Sequence, residues 1–409
     1  MMKLHIHSFP FVSSISLALS LALTGCGGSE TENASPPSEL LAPPPEGKGV
    51  QYKMISTLPP GTEAEHCMFV KAPAEGMNIT RDEVRFVTGS HHVLLYQTAY
   101  DEIPTKKEDG TVVDTSTVFD CSDGPTNGWT VEKLIAGSQN AEGDAFLNFP
   151  PGIAMKVRPG AVLMINVHYI NASMAPLSPE VRINLHTIPD AEVATEGDVL
   201  FLYHPFIHVP PLSTSLARMR CRVHKDITIQ NVQSHMHARG SGYQASVGAG
   251  APFYTNTHWE DVPVKDLGGL KVSAGEWLDY TCEYKNTEAR EIFQGARSTD
   301  EMCMLIGSYY PADPATANCL DDPNLPVDQN SVGGEWVGNG QATCAQTFDC
   351  IQQALGKNSF EAMMSCVTAS DPAVSPEMSA AIRCMFKSFG QGKDPAMSCP
   401  MEFGACQAK

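Results

Sequence analysis

Histidine pairs are the residues of this sequence whose type and spacing point most directly to chemistry. The stretch QSHMHARG places His235 and His237 two positions apart, directly after DITIQNVQS, which has a strand-like pattern. Side chains two positions apart on a strand point to the same face, so the two imidazoles would lie side by side. Because imidazole nitrogens bind metal ions, this stretch is a candidate metal site; the alternative is two partly exposed surface histidines.

Three further histidines occur in strand-like segments. GSHHVLLY contains His91 and His92, and LMINVHYIN contains His168. Neighbours on a regular strand point to opposite faces. One metal ion could therefore bind both histidines of the first segment only if the strand begins or bulges there, which the preceding Gly89-Ser90 would permit. Otherwise one of the two belongs to the core and the other to the surface, and His168 alone would be a structural residue.

A methionine adds a softer candidate ligand. Met302 lies in TDEMCMLIGSYYP, an apolar segment in which a methionine is normally part of the core. Thioethers nevertheless select Cu(I) when they bind a metal. Other familiar chemistry is not indicated, since the sequence has no phosphate-binding G-x-x-x-x-G-K, no G-x-S-x-G, no H-E-x-x-H and no C-x-x-C.

The segments that carry these residues are predicted to be strands of two β-sandwiches. A chain of 409 residues exceeds the roughly 250–300 residues of a single core, so more than one domain is expected. Apolar stretches alternate with Gly, Pro, Asn and Asp turns at regular spacing, which favours antiparallel sandwiches. A polar break at 188–198 separates them. We predict a mainly β chain with two consecutive, jelly-roll-like sandwiches at 50–192 and 193–322.

The C-terminal end differs in composition and in the spacing of its apolar residues. A Gly- and Asn-rich linker at 323–341 precedes residues 342–409, where apolar residues have helical spacing. Six cysteines fall in this segment, and three disulfides at about 2–4 kcal/mol each would matter for so small a core. We predict a small Cys-rich α-helical module whose disulfide pairing the sequence leaves open. No catalytic pattern occurs in it, so a spacer or a contact for a protein partner is expected.

The N-terminal end is a targeting segment. Residues 1–25 have the pattern of a signal peptide, and LTGC resembles a bacterial lipobox with Cys26 as the lipidated residue; the alternative is an ordinary signal peptide followed by a chance cysteine. The Gly, Ser and Pro composition of 26–49 predicts a flexible tether. Because Gly27 replaces the Asp that retains lipoproteins at the inner membrane, we expect export to the bacterial cell envelope and anchoring at the outer membrane.

The charge and the cysteine content limit the binding partners and the cellular compartment that are expected. The formal charge of −19 argues against binding of nucleic acid and against electrostatic binding to anionic lipid. Attachment to a membrane is therefore expected only through the lipid anchor. The chain has 13 cysteines, and an even number remains without Cys26. In an exported chain this predicts disulfides.

Taken in order, the segments HHVLLY, INVHY, SHMHARGSGY and STDEMC resemble the copper type II, ascorbate-dependent monooxygenases, the family of peptidylglycine α-hydroxylating monooxygenase and dopamine β-monooxygenase. The resemblance spans about residues 50–320 and excludes the tether and the Cys-rich tail. It implies two β-sandwich domains that face each other across a water-filled cleft. It also implies two separate mononuclear copper sites, one in each domain, and hence two coppers per chain.

The resemblance also implies the ligands and the disulfides. The first copper would be held by three imidazoles, those of His91, His92 and His168. The second, catalytic copper would be held by two imidazoles and a thioether, those of His235, His237 and Met302. The implied disulfide pairs are Cys67–Cys121, Cys221–Cys319 and Cys282–Cys303.

The implied reaction is hydroxylation of a substrate C–H bond with O₂ and two electrons from ascorbate or a similar reductant. In the peptide-amidating enzyme an arginine two residues before H-x-H binds the substrate carboxylate, whereas this sequence has Gln233 there, with apolar Met304 and Ile306 after Met302. A buried carboxylate without a cation would be poorly paired, so the resemblance predicts a neutral or apolar small-molecule substrate rather than a glycine-extended peptide.

Two other functions remain open at this point. The chain could be a non-catalytic copper-binding or interaction lipoprotein of the cell surface, which would keep the sandwiches without turnover. A zinc hydrolase built on His91, His92 and His168 is a weaker alternative, because no general-base carboxylate accompanies those motifs in the sequence.

Overall fold

Antiparallel β-sheets dominate the described part of the chain, which confirms the predicted fold class, including the Cys-rich helical end. The computed structural model describes residues 40–87, 89–124, 127–140, 143, 146–204, 207–260, 262–295, 297–317, 338, 340–355, 360–390 and 393–409. The signal peptide, Cys26, Cys319 and nearly all of the linker lie outside these residues. None of the helices that the structure describes is long and apolar enough to cross a membrane.

Two five-stranded sheets form the first sandwich, in the orders β1-β9-β3-β7-β10 and β5-β2-β8-β4-β6. Their strands are β1 (Gly49–Ile55), β2 (Thr62–Lys71), β3 (Met77–Phe86), β4 (Ser90–Thr98), β5 (Phe119–Asp120), β6 (Val131–Ser138), β7 (Ile153–Val157), β8 (Val162–Asn171), β9 (Glu180–Thr187) and β10 (Thr195–Glu196). A short 3-10 helix, Asp190–Glu192, precedes β10. Since β10 pairs with β7, this sheet continues a few residues past the predicted boundary at 192, and the boundary itself stays a prediction.

The central strand β8 carries His168. Its sequence, VLMINVHYIN, is almost continuously apolar, and every residue of the strand except Ile170 is buried. Such a run is typical of a strand that is covered on both faces. β8 pairs with β2 on one side and with β4 on the other. It therefore fixes the position of His168 relative to β4, the strand that carries His91 and His92.

The second sandwich has two four-stranded sheets, in the orders β11-β20-β14-β17 and β13-β18-β15-β16, and a small pair, β12-β19. Its strands are β11 (Asp198–Tyr203), β12 (His208–Val209), β13 (Thr214–Arg222), β14 (Ile227–His235), β15 (Gly240–Val247), β16 (Tyr254–Asn256), β17 (Lys265–Val272), β18 (Trp277–Lys285), β19 (Ile292–Phe293) and β20 (Met304–Tyr310). A one-turn helix, α1 (Pro314–Ala317), follows β20.

A β-bulge in β14 decides which way the H-x-H segment faces. Ile227 and Ile229 belong to the core of the second sandwich, and the pairing register then shifts after Ile229. Beyond the shift the core residues are Val232 and Met236, so the alternation has changed by one position. A bulge adds one residue to a strand and thereby exchanges its two faces. As a result His235 points away from the core of its own sandwich.

The C-terminal module consists of short helices joined by disulfides. Its elements are α2 (Cys344–Leu355), α3 (Phe360–Thr368), a 3-10 helix (Pro372–Val374), α4 (Ser375–Gly390), α5 (Pro395–Ser398) and α6 (Pro400–Gln407). The pairing that the sequence left open is Cys344–Cys406, Cys350–Cys366 and Cys384–Cys399. Phe293 of β19 packs against the apolar core of this module, which places the module beside the second sandwich.

The sandwiches contain the disulfides that the resemblance implies, as far as the structure describes them. Cys67 pairs with Cys121, and Cys282 pairs with Cys303. Cys221 is also disulfide-bonded, but its implied partner is among the residues outside the described ranges.

The last residues of the predicted tether are held against the first sandwich. The side-chain amide of Gln51 and the guanidinium of Arg182 both donate to the carbonyl oxygen of Leu41. The amide of Asn184 donates to the carbonyl oxygen of Ala42. Leu41 and Ala42 are therefore held against side chains of β1 and β9.

Candidate metal centre

Three histidines of the first sandwich converge at the start of β4. The strand begins at Ser90, and its register against β8 shifts between Ser90 and His92, so that His92 lies directly opposite His168. This is the irregularity that the adjacent histidines needed in order to share a site. Gly89 allows it, because its φ of 101° is a backbone conformation that L side chains rarely adopt. One ring nitrogen from each of His91, His92 and His168 lies within 4.8 Å of the other two.

The Nδ1 atoms are the nitrogens that this first set offers to a metal ion. Nδ1 of His91 and Nδ1 of His92 are 3.3 Å apart. Nε2 of His168 donates to Oε1 of Glu63 at 2.9 Å, which leaves the Nδ1 of His168 for the other two rings. The ring of His168 lies 5.3 Å from that of His91 and 5.1 Å from that of His92, measured between centroids.

Glu63 orients the third imidazole of the first set. Its hydrogen bond with His168 lowers the pKa of the Glu63 carboxyl to about 2, so the carboxylate is ionised at neutral pH. Metal-binding histidines commonly donate their second ring N–H to a carboxylate, which fixes the tautomer and the orientation of the ring. The carboxylate that the sequence did not reveal therefore has the contacts of a histidine-orienting group rather than those of a free general base.

The H-x-H pair of the second sandwich offers its Nε2 atoms to a metal ion, not its Nδ1 atoms. His235 and His237 lie on one face, as their spacing predicted, with ring centroids 5.1 Å apart and planes at 90°. Nδ1 of His235 lies 2.6 Å from the side-chain oxygen of Gln139, and Nδ1 of His237 lies 3.1 Å from the carbonyl oxygen of Asp300. Both Nδ1 atoms therefore donate to protein oxygens, and both Nε2 atoms keep a lone pair.

Burial lowers the pKa values of four of these imidazoles. It lowers the pKa of His91 and of His237 to about 4 in each case. The pKa values of His92 and His235 lie well below the ordinary value for the same reason, and neighbouring histidines lower them further. A neutral imidazole has the free lone pair that a metal ligand requires, so four of the five histidines are ready to bind at physiological pH.

Glu301 connects the H-x-H segment to the segment of Met302. Its buried carboxylate accepts hydrogen bonds from the backbone N–H groups of His237 at 3.1 Å and Arg239 at 2.8 Å. Burial raises the pKa of Glu301 to about 7. The hydroxyl of Tyr284 donates to the carbonyl oxygen of Met302 at 2.9 Å, so the backbone next to Glu301 is fixed as well.

Met302 lies at the entrance to β20, close to the H-x-H pair along the sheet. It precedes Met304, which is the strand partner of His235 in the pairing of β14 with β20. Met302 is only partly buried, and it packs against the core cluster of the first sandwich rather than that of its own. Met302 therefore faces the first sandwich, as His235 does.

The two sets of histidines adjoin each other, which differs from the cleft that the resemblance implies. The rings of His92 and His235 have centroids 5.7 Å apart, and the ring of His91 lies 5.4 Å from that of Trp259 in the second sandwich. Oε1 of Glu63 also accepts from the backbone N–H of Ser298 at 3.3 Å. At this position the two sandwiches touch through side chains instead of facing each other across water.

The sequence of the second sandwich matches a known family. Residues 198–327 match the sequence model of the copper type II ascorbate-dependent monooxygenase, C-terminal domain. This part of the chain belongs to the copper type II, ascorbate-dependent monooxygenase family. The matched region includes the H-x-H pair and Met302, and its family implies copper as the metal and ascorbate as the reductant.

The other comparisons add little to the family match of residues 198–327. No curated protein matches the chain. The glycosylasparaginase PNGase F from Flavobacterium meningosepticum is 8% identical over 64% of this chain and 94% of its own, with a TM-score of 0.25. The major capsid protein P2 of bacteriophage PM2 is also 8% identical, over 64% of this chain and 97% of its own, with a TM-score of 0.25. Similarity at this level does not establish a common fold.

The ligand types suit the metal of the copper monooxygenases. Imidazole is a common ligand of copper, and a thioether favours its reduced state. The first set would present three Nδ1 atoms. The second would present two Nε2 atoms with a methionine next to Glu301. Four supporting residues were missed by sequence reasoning: Glu63, Gln139, Trp259 and Glu301. Of these, only Glu301 had a signal, since it lies inside the STDEMC segment.

Proposed function

We propose that this chain is a copper-dependent monooxygenase that hydroxylates a C–H bond of an organic small molecule. In the overall reaction one oxygen atom of O₂ enters the product as a hydroxyl group, and the other leaves as water with two protons and two electrons. Ascorbate or a similar reductant would supply the electrons. The observation that carries the proposal is that two sets of imidazoles lie in adjoining positions, the second of them next to Met302 in a region that matches this family.

We further propose two coppers per chain. The first would be held by His91, His92 and His168, and the second by His235, His237 and Met302. Bound copper supplies the one-electron redox chemistry that the use of O₂ requires. The protein would contribute orientation, through the acceptors of the second ring nitrogens, and the exclusion of bulk water, because four of the five rings are buried.

A neutral or apolar substrate is the class that the second sandwich favours. Gln233 pairs with Ile306 across β14 and β20, and Phe201 pairs with Ile306 across β11. Gln233, Met304 and Ile306 are all buried, and none carries a charge. A carboxylate placed on this face would lose its hydration without gaining a cation. Hydroxylation of a glycine-extended peptide with ordinary efficiency would contradict this part of the proposal.

The same face is covered by the first sandwich in the structure. Met304 and Ile306 belong to the core cluster of the first sandwich, although they lie on a strand of the second. A substrate that uses this face must therefore displace side chains of the first sandwich that pack against Met304 and Ile306.

Ascorbate-driven O₂ uptake tests the proposal without knowledge of the substrate. Copper-loaded, desalted protein should consume O₂ when ascorbate is added, and the same protein after removal of copper by a chelator should not. Loss of uptake in His235→Ala would assign it to the second set. If the fully loaded protein consumed no O₂ above the copper-free control, the non-catalytic copper-binding lipoprotein would be the better description.

We also propose that the mature chain is exported and anchored through a lipid on Cys26, most simply at the outer membrane. This rests on the LTGC segment and on the Gly that follows it. O₂ and the small-molecule substrate are the proposed partners of the sandwiches. A protein partner is proposed only for the Cys-rich module.

A further inference from the structure

We propose that Gln139, a residue of the first sandwich, positions His235 of the second, so that the second metal site is fully formed only when the two sandwiches are joined. The inference rests on the proposed function, because it assumes that His235 binds copper. It concerns a residue that contacts a ligand rather than the metal, and Gln139 is therefore a positioning residue.

Gln139 reaches across to the second sandwich directly after β6. It is 8% exposed, and both polar atoms of its side chain are engaged. Its Nε2 donates to the backbone carbonyl oxygen of Ser234 at 2.9 Å. Its Oε1 lies 2.6 Å from Nδ1 of His235. One amide group thus contacts two consecutive residues of the H-x-H strand.

The two contacts of this amide determine the tautomer of His235. A carbonyl oxygen can only accept a hydrogen bond, so the Ser234 oxygen must face the amide nitrogen of Gln139. The amide oxygen must then face His235, whose Nδ1 has to donate. The proton of the neutral imidazole is therefore on Nδ1, and the lone pair is on Nε2. A flipped amide would place its oxygen against the carbonyl oxygen of Ser234, so that two acceptors would face each other.

The residues next to Gln139 hold it in place. The side-chain amide of Asn140 donates to the carbonyl oxygen of Val262 in the second sandwich at 3.0 Å. The Ser138 hydroxyl donates to the carbonyl oxygen of Asn140 at 2.9 Å, which stabilises the turn after β6. The segment 138–140 is thus seated on the second sandwich by two neighbouring side chains, of which only one contacts a histidine.

The second histidine of the pair does not depend on the first sandwich in this way. Nδ1 of His237 donates to the backbone oxygen of Asp300, which belongs to the same sandwich as His237. Loss of the Gln139 contact should therefore disturb one ligand of the second site and leave the other in place. Loss of the contact should leave His91, His92 and His168 unaffected.

Copper affinity separates a positioning role from a general role in stability. Cu(I) is titrated into the mature protein against the chelator bicinchoninate, which reports the affinities of both sites without turnover. In Gln139→Leu, which keeps the bulk of the side chain but no polar atom, we expect the second-site affinity to fall about 10–100-fold, as is usual for loss of a ligand-orienting partner. The first-site affinity should stay at the wild-type value, which also shows that the variant is folded.

Two matched variants complete the test. Gln139→Glu keeps an oxygen acceptor for His235 and should retain more of the second-site affinity than Gln139→Leu. Asn140→Ala removes the neighbouring contact between the sandwiches without touching a histidine, and it should leave both affinities within about threefold of the wild type. Gln139→Ala is the substitute for Gln139→Leu if the leucine does not fit, and the same loss is expected from it.

The outcomes distinguish the inference from the proposed function. Wild-type affinity at the second site of Gln139→Leu would overturn the inference and leave the proposed function standing. An equal loss in Asn140→Ala and Gln139→Leu would also overturn it, because contact between the sandwiches would then matter and the hydrogen bond to His235 would not. A wild-type protein that binds no copper through His235 would overturn the proposed function and the inference together.

Discussion

Replacing Met302 by isoleucine should abolish ascorbate-driven O₂ uptake while leaving the protein folded. The two side chains have similar volumes and the site is only partly buried, so the free energy of unfolding should fall by less than about 1.5 kcal/mol. Isoleucine has no sulfur, and the second copper would lose its thioether ligand. We expect the rate of O₂ uptake to fall by more than about 100-fold, since loss of a partner that merely orients a ligand already costs 10–100-fold.

O₂ consumption and thermal unfolding of Met302→Ile should be measured on the same preparation. Met219→Ile is the matched control, because Met219 lies on β13 in the core of the same sandwich, in the sheet that does not carry the H-x-H pair. The control should keep wild-type uptake. Unchanged uptake in Met302→Ile would mean that Met302 is an ordinary packing residue, and the ligand assignment of the second site would have to be abandoned.

Replacing His168 by alanine should remove the first copper and retain the second. His168 lies opposite His92 on the neighbouring strand, and its bond with Glu63 fixes which nitrogen it offers. Without this ring the first set keeps only two adjacent imidazoles. Copper content after desalting should fall by one ion per chain, and ascorbate-driven O₂ uptake should stop, because in the proposed function both coppers take part in the two-electron reaction.

His186→Ala provides the control for this variant. His186 belongs to the other sheet of the first sandwich, where its Nε2 lies 3.0 Å from a guanidinium nitrogen of Arg81. Its loss should leave the copper content unchanged. Loss of neither metal from His168→Ala would refute the assignment of the first site, whatever the activity of the variant.

The orientation of His235 shows what the sequence could and could not supply. Alternation along DITIQNVQS predicted a strand, and the spacing of the two histidines predicted a common face, and both predictions hold in the structure. Strict alternation from Ile227, however, would place His235 in the core of the second sandwich. The bulge after Ile229 reverses this, and such an irregularity depends on pairing with β17 and β20 rather than on local composition.

The residues that orient the histidines could not be predicted from the sequence, for a different physical reason. Glu63 lies 105 positions from His168, and Gln139 lies 96 positions from His235. Their role depends on which strands become neighbours and on how two sandwiches meet, and a single glutamate or glutamine on a strand carries no local signature of either. The adjacent histidines were more tractable, because Gly89 before them indicated where regular pairing would be interrupted.

Copper per chain is the measurement that tests the central claim most directly. Mature protein lacking Cys26 is reconstituted with copper, desalted and analysed for metal and protein. The account predicts two coppers per chain in the wild type and one in His235→Ala. One copper or none in the wild type would contradict it, because the two sets of histidines would then share a single site or bind no metal at all.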